Sequence, residues 1–177
     1  DEDQWLDWIA ETGFDGWEEE FNQRLFEHRD DLTWGDLAAM LIAVRAMQVP
    51  EVRAHLFDFA ERDHDDRTSE YGGIIRLDAQ NRFEIREFPP QYRMGDIRFN
   101  APQAMFDAGY TGIFHFHFHA QEYQNADYAG PGMGDLQYAE STRANCLVLT
   151  FVSRSKLNVD YYRYGRVIVD LGEIERP

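Results

Sequence analysis

A chain of 177 residues with a formal net charge of −16 is long enough for one main domain and too acidic to bind a polyanion. The 33 acidic residues outnumber the 17 basic ones, and no basic run is present. Nucleic acid and anionic membrane surfaces are therefore excluded as expected partners. Hydrophobic residues make up 44% of the chain, so we expect most of it to fold.

The sequence predicts a soluble protein of a reducing compartment. No apolar stretch has the length of a membrane span, and the first residues do not form a signal-peptide pattern. The single cysteine, Cys146, cannot form an internal disulfide. A cytoplasmic location is expected. The chain begins with Asp1 rather than with Met, which leaves a trimmed targeting segment as the alternative.

Residues 1–66 are predicted to form a helical N-terminal extension. Apolar residues recur in their first part at spacings of four and eight, as in amphipathic helices. These residues are Trp5, Ile9, Trp17, Phe21 and Leu25.

Two further helices are predicted within this extension. Thr33 and Asp36 form a candidate capping pair for a helix that should end at Val49. Pro50 can open the next helix at its first position. The residues expected to be buried in these helices are Leu37, Met40, Leu41, Val44, Val52, Leu56 and Phe59.

Residues 67–177 are predicted to form the main, metal-binding domain, in which short strands alternate with turns. The strand candidates are 71–77, 82–88, 110–119, 146–153 and 166–171, with a hairpin turn at 78–81. Helices are expected around 101–107 and 136–144. The predicted fold class is α+β.

Histidine and phenylalanine alternate three times in the segment 114–119. In an extended strand His115, His117 and His119 would share one face, and the phenylalanines would share the other. Imidazoles two residues apart can converge on a metal ion while the phenylalanine face packs into a core. The alternative is a strand whose polar face is histidine by chance.

Two carboxylates complete the candidate site. A catalytic zinc ion usually has three protein ligands, and Asp135, at the end of the glycine-rich segment 130–134, is the candidate third ligand; the alternative is a helix N-cap. Glu70 stands just before an apolar strand and is a candidate general base on water. Its alternative role is a solvated acid in an acidic linker.

The order of these motifs resembles the JAB/MPN (JAMM) metalloprotease family. That family has a Glu before a glycine-containing strand, then a His-x-His strand, then Ser-x-x-Asp at the start of a helix. Here the corresponding segments are Glu70-Tyr71-Gly72-Gly73, the histidine run and Gly132-Met133-Gly134-Asp135. The resemblance covers residues 70–172.

The resemblance implies a JAB/MPN-like (cytidine deaminase-like) mixed β-sheet flanked by helices. It also implies a Zn²⁺ ion held by two histidines and Asp135, with Glu70 acting on the water at the metal. The implied activity is hydrolysis of peptide or isopeptide bonds in a peptide or protein substrate. The acidic composition favours a basic partner.

The chain departs from the family pattern at three points. Gly132 stands where the family has its serine, Ala120 stands where a proline follows the second histidine, and the stretch before Asp135 is longer and includes 121–125. Loss of a hydroxyl that helps to hold the water or the oxyanion costs enzymes about 100- to 1000-fold in rate. A catalytically inactive binding or scaffold module is therefore the alternative function.

The register of the histidine pair has two solutions. Aligning Gly112 with the family's glycine selects His115 and His117, whereas a short insertion before Asp135 selects His117 and His119. His117 belongs to both pairs, and the second pair is favoured. A cupin-like metal-binding barrel would instead use Glu122 as its carboxylate ligand and would leave Asp135 without a role.

Overall fold

The computed structural model describes residues 32–90, 92–93, 95, 98–109 and 111–177. The helices predicted from Trp5 to Leu25 lie outside the described residues. Of the helices that the described part contains, none has the length and apolarity needed to cross a membrane.

The described residues form both helices and strands. The helices are α1 (Trp34–Gln48), α2 (Pro50–Asp65), α3 (Gln103–Gly109), a 3-10 turn (Ala126–Tyr128) and α4 (Met133–Thr142). The strands are β1 (Gly72–Leu77), β2 (Phe83–Phe88), β3 (Gly112–His119), β4 (Cys146–Ser153), β5 (Lys156–Arg163) and β6 (Val167–Glu175). The predicted α+β class is confirmed.

The described strands form one six-stranded sheet in the order β2-β1-β3-β4-β5-β6. Neighbouring strands are antiparallel except β3 and β4, which are parallel. A parallel pair cannot be joined by a tight turn and needs a crossover connection. Here the crossover is the segment between β3 and β4, and it carries α4.

The helix boundaries follow from the capping chemistry that the sequence predicts. The Asp36 backbone N–H donates to Thr33 Oγ1 at 3.2 Å, and the Thr33 backbone N–H donates to Asp36 Oδ2 at 2.7 Å. Val49 is extended, with φ −75° and ψ 117°, and Pro50 begins α2. The predicted end of one helix and start of the next are confirmed.

The phenylalanine face of β3 packs against α2. Phe114, Phe116 and Phe118 are buried, and the Phe59 ring meets the rings of Phe116 and Phe118 edge to face at centroid distances of 6.1 and 5.4 Å. Burying an aromatic ring stabilises by roughly 1.5–3 kcal/mol, so this contact fixes which face of β3 points inward. The predicted alternation of the two faces is confirmed.

Strand β5 was not predicted from the sequence. Leu157, Val159 and Tyr161 face the core in alternation, but Asn158 and Asp160 are buried on the opposite face. Asn158 Nδ2 donates to Asp160 Oδ2 at 2.9 Å, so these polar side chains are paired rather than solvated. Buried polar residues conceal this strand in the sequence, because its second face resembles a solvent-exposed one.

A buried ionic network joins α1 to β5. Asp36 accepts from Tyr161 Oη at 2.9 Å and from Arg163 Nη2 at 2.7 Å, and the guanidinium also donates through Nε. Burial alone would raise the pKa of Asp36, but the hydrogen bonds from Arg163, Thr33 and Tyr161 outweigh it and lower the pKa to about 2. The ionised form of Asp36 is therefore the form that stabilises the fold.

Asp36→Ala should lower the free energy of unfolding by about 3–5 kcal/mol at neutral pH, because it leaves the Arg163 charge buried without its partner. Because the folded pKa is depressed, the ionic part of this contribution is present above about pH 4 and lost as the pH falls through about 2. Urea unfolding of both proteins between about pH 7 and about pH 3, followed by circular dichroism, measures the difference.

Asp58→Ala is the matched control, because Asp58 is 71% exposed and bonds Arg62 on the surface of α2. It should cost less than about 1 kcal/mol. Equal losses in the two variants, or a gap that does not shrink in acid, would contradict a stabilising role for the Asp36 network.

Candidate metal centre

Glu70, His117 and His119 lie together on the sheet face opposite the phenylalanines. Each offers one ligand atom, and these atoms all lie within 4.8 Å of one another. Glu70 and His117 are buried, and His119 is partly buried. The strand therefore presents two imidazoles and a neighbouring carboxylate to a single point.

Strand pairing places Glu70 at the histidines. Gly72 of β1 is the pairing partner of His117, and the Phe118 N–H donates to the Tyr71 carbonyl at 3.1 Å. Continuing this antiparallel register brings Glu70 level with His119. A Cβ on Gly72 would lie 2.5 Å from the Phe116 carbonyl oxygen, so glycine is needed for this close approach.

Asp135 reaches the same point from the first turn of α4. Its Oδ1 lies 3.2 Å from His117 Nε2, and its Oδ2 lies 3.6 Å from His119 Nε2. The Gly132 N–H also donates to Asp135 Oδ2 at 2.7 Å. The N-cap residue of α4 is Gly132 rather than Asp135, which lies two residues inside the helix start and accepts from the Gly132 N–H. The same carboxylate contacts both histidines, as expected of a shared metal ligand.

The hydrogen bond behind His119 fixes its tautomer. His119 Nδ1 lies 2.9 Å from the Tyr128 backbone carbonyl, which can only accept, so Nδ1 carries the proton. In the neutral ring Nε2 then presents its lone pair to the cluster. Such a second contact commonly orients metal-binding histidines.

The separation of the two histidine nitrogens suits a tetrahedral metal ion. With bonds of about 2.0–2.1 Å, neighbouring ligand atoms of a tetrahedral zinc ion lie about 3.3 Å apart. The two histidine Nε2 atoms are 3.3 Å apart, which matches this spacing. Each of them contacts a different oxygen of Asp135, His117 at 3.2 Å from Oδ1 and His119 at 3.6 Å from Oδ2. His117 and His119 could therefore hold a zinc ion together with Asp135, which contacts both, or with Glu70, which completes the compact group.

His115 lies on the same strand face but outside this group. Its Nδ1 is 2.7 Å from the Tyr138 hydroxyl, and its Nε2 is only 2.7 Å from where a Cβ on Gly109 would be. Burial lowers the pKa of His115, which favours its neutral form. Of the two registers open in the sequence, the geometry favours His117 with His119.

The loop after β3 holds the Glu70 carboxylate. Gln121 Nε2 donates to Glu70 Oε1 at 2.9 Å, and Asn125 Nδ2 donates to Gln121 Oε1 at 3.0 Å. Asn125 is buried, and its backbone N–H donates to the Phe151 carbonyl at 2.8 Å. This chain of amides anchors Glu70 to the sheet, and the loop 121–125 supports the centre.

Opposite electrostatic effects act on the two carboxylates. Burial raises the pKa of Glu70, and the nearby histidines only partly offset this. Burial also opposes ionisation of Asp135, but the charge of His117 and hydrogen bonds with both histidines hold its pKa well below the usual range. Burial would lower the pKa of His119, yet the contact with Asp135 raises it. A raised carboxyl pKa suits a proton carrier. A carboxylate that stays ionised can bind a metal ion.

Sequence reasoning missed two residues that support the histidines. The Tyr162 hydroxyl lies 3.5 Å from His117 Nδ1, and Tyr138 bonds His115. Tyr162 alternates with Asn158 and Asp160 along β5, and this pattern could have placed it on the histidine face. No pattern in the sequence identifies Tyr138.

Two rival candidates are not part of the cluster of Glu70, His117 and His119. Glu122, the ligand expected of a cupin-like site, is 72% exposed and lies 3.9 Å from Arg67. Burial raises the pKa of the Cys146 thiol to about 12, so this cysteine is not a nucleophile at neutral pH.

The candidate ligands open into a cavity of about 660 Å³, which suits a substrate larger than a single residue. No family model, curated protein or solved structure matches this chain. The JAB/MPN resemblance therefore rests on the motif order alone, and the chemistry is inferred from the geometry of the site.

Proposed function

We propose that this protein is a zinc-dependent hydrolase of peptide or isopeptide bonds, of JAMM type. The proposal rests on one observation: two histidine Nε2 atoms and the Asp135 carboxylate lie 3.2–3.6 Å apart beside the buried Glu70. Two imidazole nitrogens and one carboxylate oxygen are a donor set used by catalytic zinc sites.

Each residue has a defined task in this proposal. A bound zinc ion supplies the Lewis-acid chemistry that polarises a carbonyl group and makes water easier to deprotonate. The Glu70 carboxylate takes the proton from the attacking water and returns it to the departing amine nitrogen. Gln121 keeps Glu70 oriented, and the Tyr128 carbonyl keeps His119 Nε2 free for the metal.

A non-catalytic binding module is the second candidate function, and Gly132 favours it. No side-chain hydroxyl is present where the family has its serine. The backbone of Gly132 has φ −78° and ψ 178°, and a Cβ there would lie 3.5 Å from Asp135 Oδ2, in ordinary contact. Gly132 therefore lacks the hydroxyl, although its backbone conformation and surroundings leave room for a serine side chain.

Purified protein should contain about one zinc ion per chain. His117→Ala, His119→Ala and Asp135→Ala should each lose it, because each removes a ligand, whereas His115→Ala should retain it as the matched control. Elemental mass spectrometry measures the zinc content, with circular dichroism to confirm folding. Folded wild-type protein that takes up no added zinc would overturn the metal centre, and loss in His115→Ala would favour the other register.

Glu70→Gln should keep the zinc and lower kcat/KM by about 100- to 10,000-fold, the usual share of a general base. The amide oxygen of the new glutamine can still accept the hydrogen bond from Gln121 Nε2. The substitution therefore removes the basic carboxylate and keeps the size of the side chain. Hydrolysis rates on a fluorogenic peptide library and the zinc content are measured on the same samples of wild-type and Glu70→Gln protein. Loss of zinc would make Glu70 a ligand, and unchanged hydrolysis would exclude it as the base.

Gly132→Ser should raise kcat at least about tenfold, because it restores a hydroxyl whose absence costs enzymes about 100-fold or more. Gly132→Ala is the control, since it adds a Cβ without the hydroxyl. Hydrolysis rates of the three proteins at equal zinc content test the effect. Equal rates for Ser and Ala would show that the hydroxyl has no role in this chain.

A further inference from the structure

Two cavities meet at the candidate centre. One measures about 660 Å³ and the other about 570 Å³, and Glu70, His119 and Gly132 line both. A ligand that reaches the centre can therefore extend in two directions from it. This is the shape of a site for an extended chain rather than for a small molecule held in a single pocket.

The first cavity contains a cation close to the centre. The Glu70 N–H donates to the Arg98 carbonyl at 3.2 Å, which fixes the Arg98 backbone beside Glu70. Arg98 lines the first cavity and is exposed. The ion pairs between described residues do not include Arg98. As an exposed lining residue, Arg98 can contact a ligand in this cavity.

The charge balance of the first cavity favours an anionic group. Among its described lining residues, Glu70 and Asp135 supply the carboxylates, and Arg98 supplies the cation. A divalent metal ion would balance both carboxylates and leave the charge of Arg98 in excess. A planar guanidinium binds a carboxylate through two parallel hydrogen bonds.

The second cavity has a different character. Tyr128, which is 71% exposed, lies there with Ala129 and Pro131. The described lining includes no arginine or lysine, and Glu122 adds a negative charge. This side therefore accepts an apolar side chain and disfavours an acidic one.

We propose that the substrate is an extended polypeptide with an acidic side chain on the Arg98 side of the cleaved bond and an apolar side chain on the Tyr128 side. This inference rests on the proposed hydrolase function. The overall acidity of the chain acts on a partner at long range, whereas Arg98 selects the residue beside the centre.

Peptide binding to zinc-loaded Glu70→Gln protein tests the proposal without cleavage. The probes are fluorescent peptides in which Glu and Leu flank the central bond, in both orders, each with a counterpart carrying Gln instead of Glu. Fluorescence anisotropy gives the dissociation constants. Arg98→Gln is the test variant in this background. Arg82→Gln is the matched control, because Arg82 is exposed in the turn at the other end of β1.

In one of the two orders, the Glu peptide should bind about tenfold or more tightly than its Gln counterpart. This preference should disappear in Arg98→Gln and persist in Arg82→Gln. Arg98→Glu should instead prefer a third counterpart that carries Lys in place of Glu. Zinc-loaded protein that does not distinguish Glu from Gln, or that does so without Arg98, overturns this inference alone. Failure to bind zinc at all contradicts the proposed function.

Discussion

The packing of the phenylalanine face of β3 against α2 determines where the candidate chemistry lies. Side chains alternate along a strand, so burying Phe114, Phe116 and Phe118 sends the histidines to the opposite face. A shift of one residue would exchange the two faces and place imidazoles in an apolar core. The hydrophobic contact and the histidine cluster therefore depend on the same register, and neither can change without the other.

The sheet brings two distant carboxylates to this face by different routes. Glu70 arrives through antiparallel pairing of β1 with β3, and Asp135 arrives on the crossover that joins β3 to its parallel neighbour β4. A buried and a partly buried carboxylate beside two imidazoles favour a bound cation, because burial of unbalanced charge is costly. On the other face of the sheet, the carboxylate of Asp36 is balanced by the Arg163 guanidinium and the Tyr161 hydroxyl. This network stabilises the fold.

Local patterns predicted the parts of this fold that depend on neighbouring residues. The capping pair at Thr33, the break at Pro50 and the alternation in β3 follow from short-range chemistry, and the structure has each of them. Strand β5, the diversion of His115 to Tyr138 and the anchoring of Glu70 by Gln121 depend on long-range pairing, which spacing alone does not give. The helices predicted before residue 32 lie outside the described residues, and the division at residues 66 and 67 remains a prediction.

The parallel pairing of β3 with β4 also has a consequence for folding. The β1–β2 pair and the β4–β5–β6 meander close through short turns, whereas β3 and β4 meet only after the long segment between them has been ordered. Contacts between distant segments form slowly, so we expect the hairpins to precede the central pairing. Asp135 would then join the histidines late on the folding pathway. A metal ion bound to Asp135 and the histidines would therefore mainly slow the unfolding of the native protein, and it would do little to speed folding.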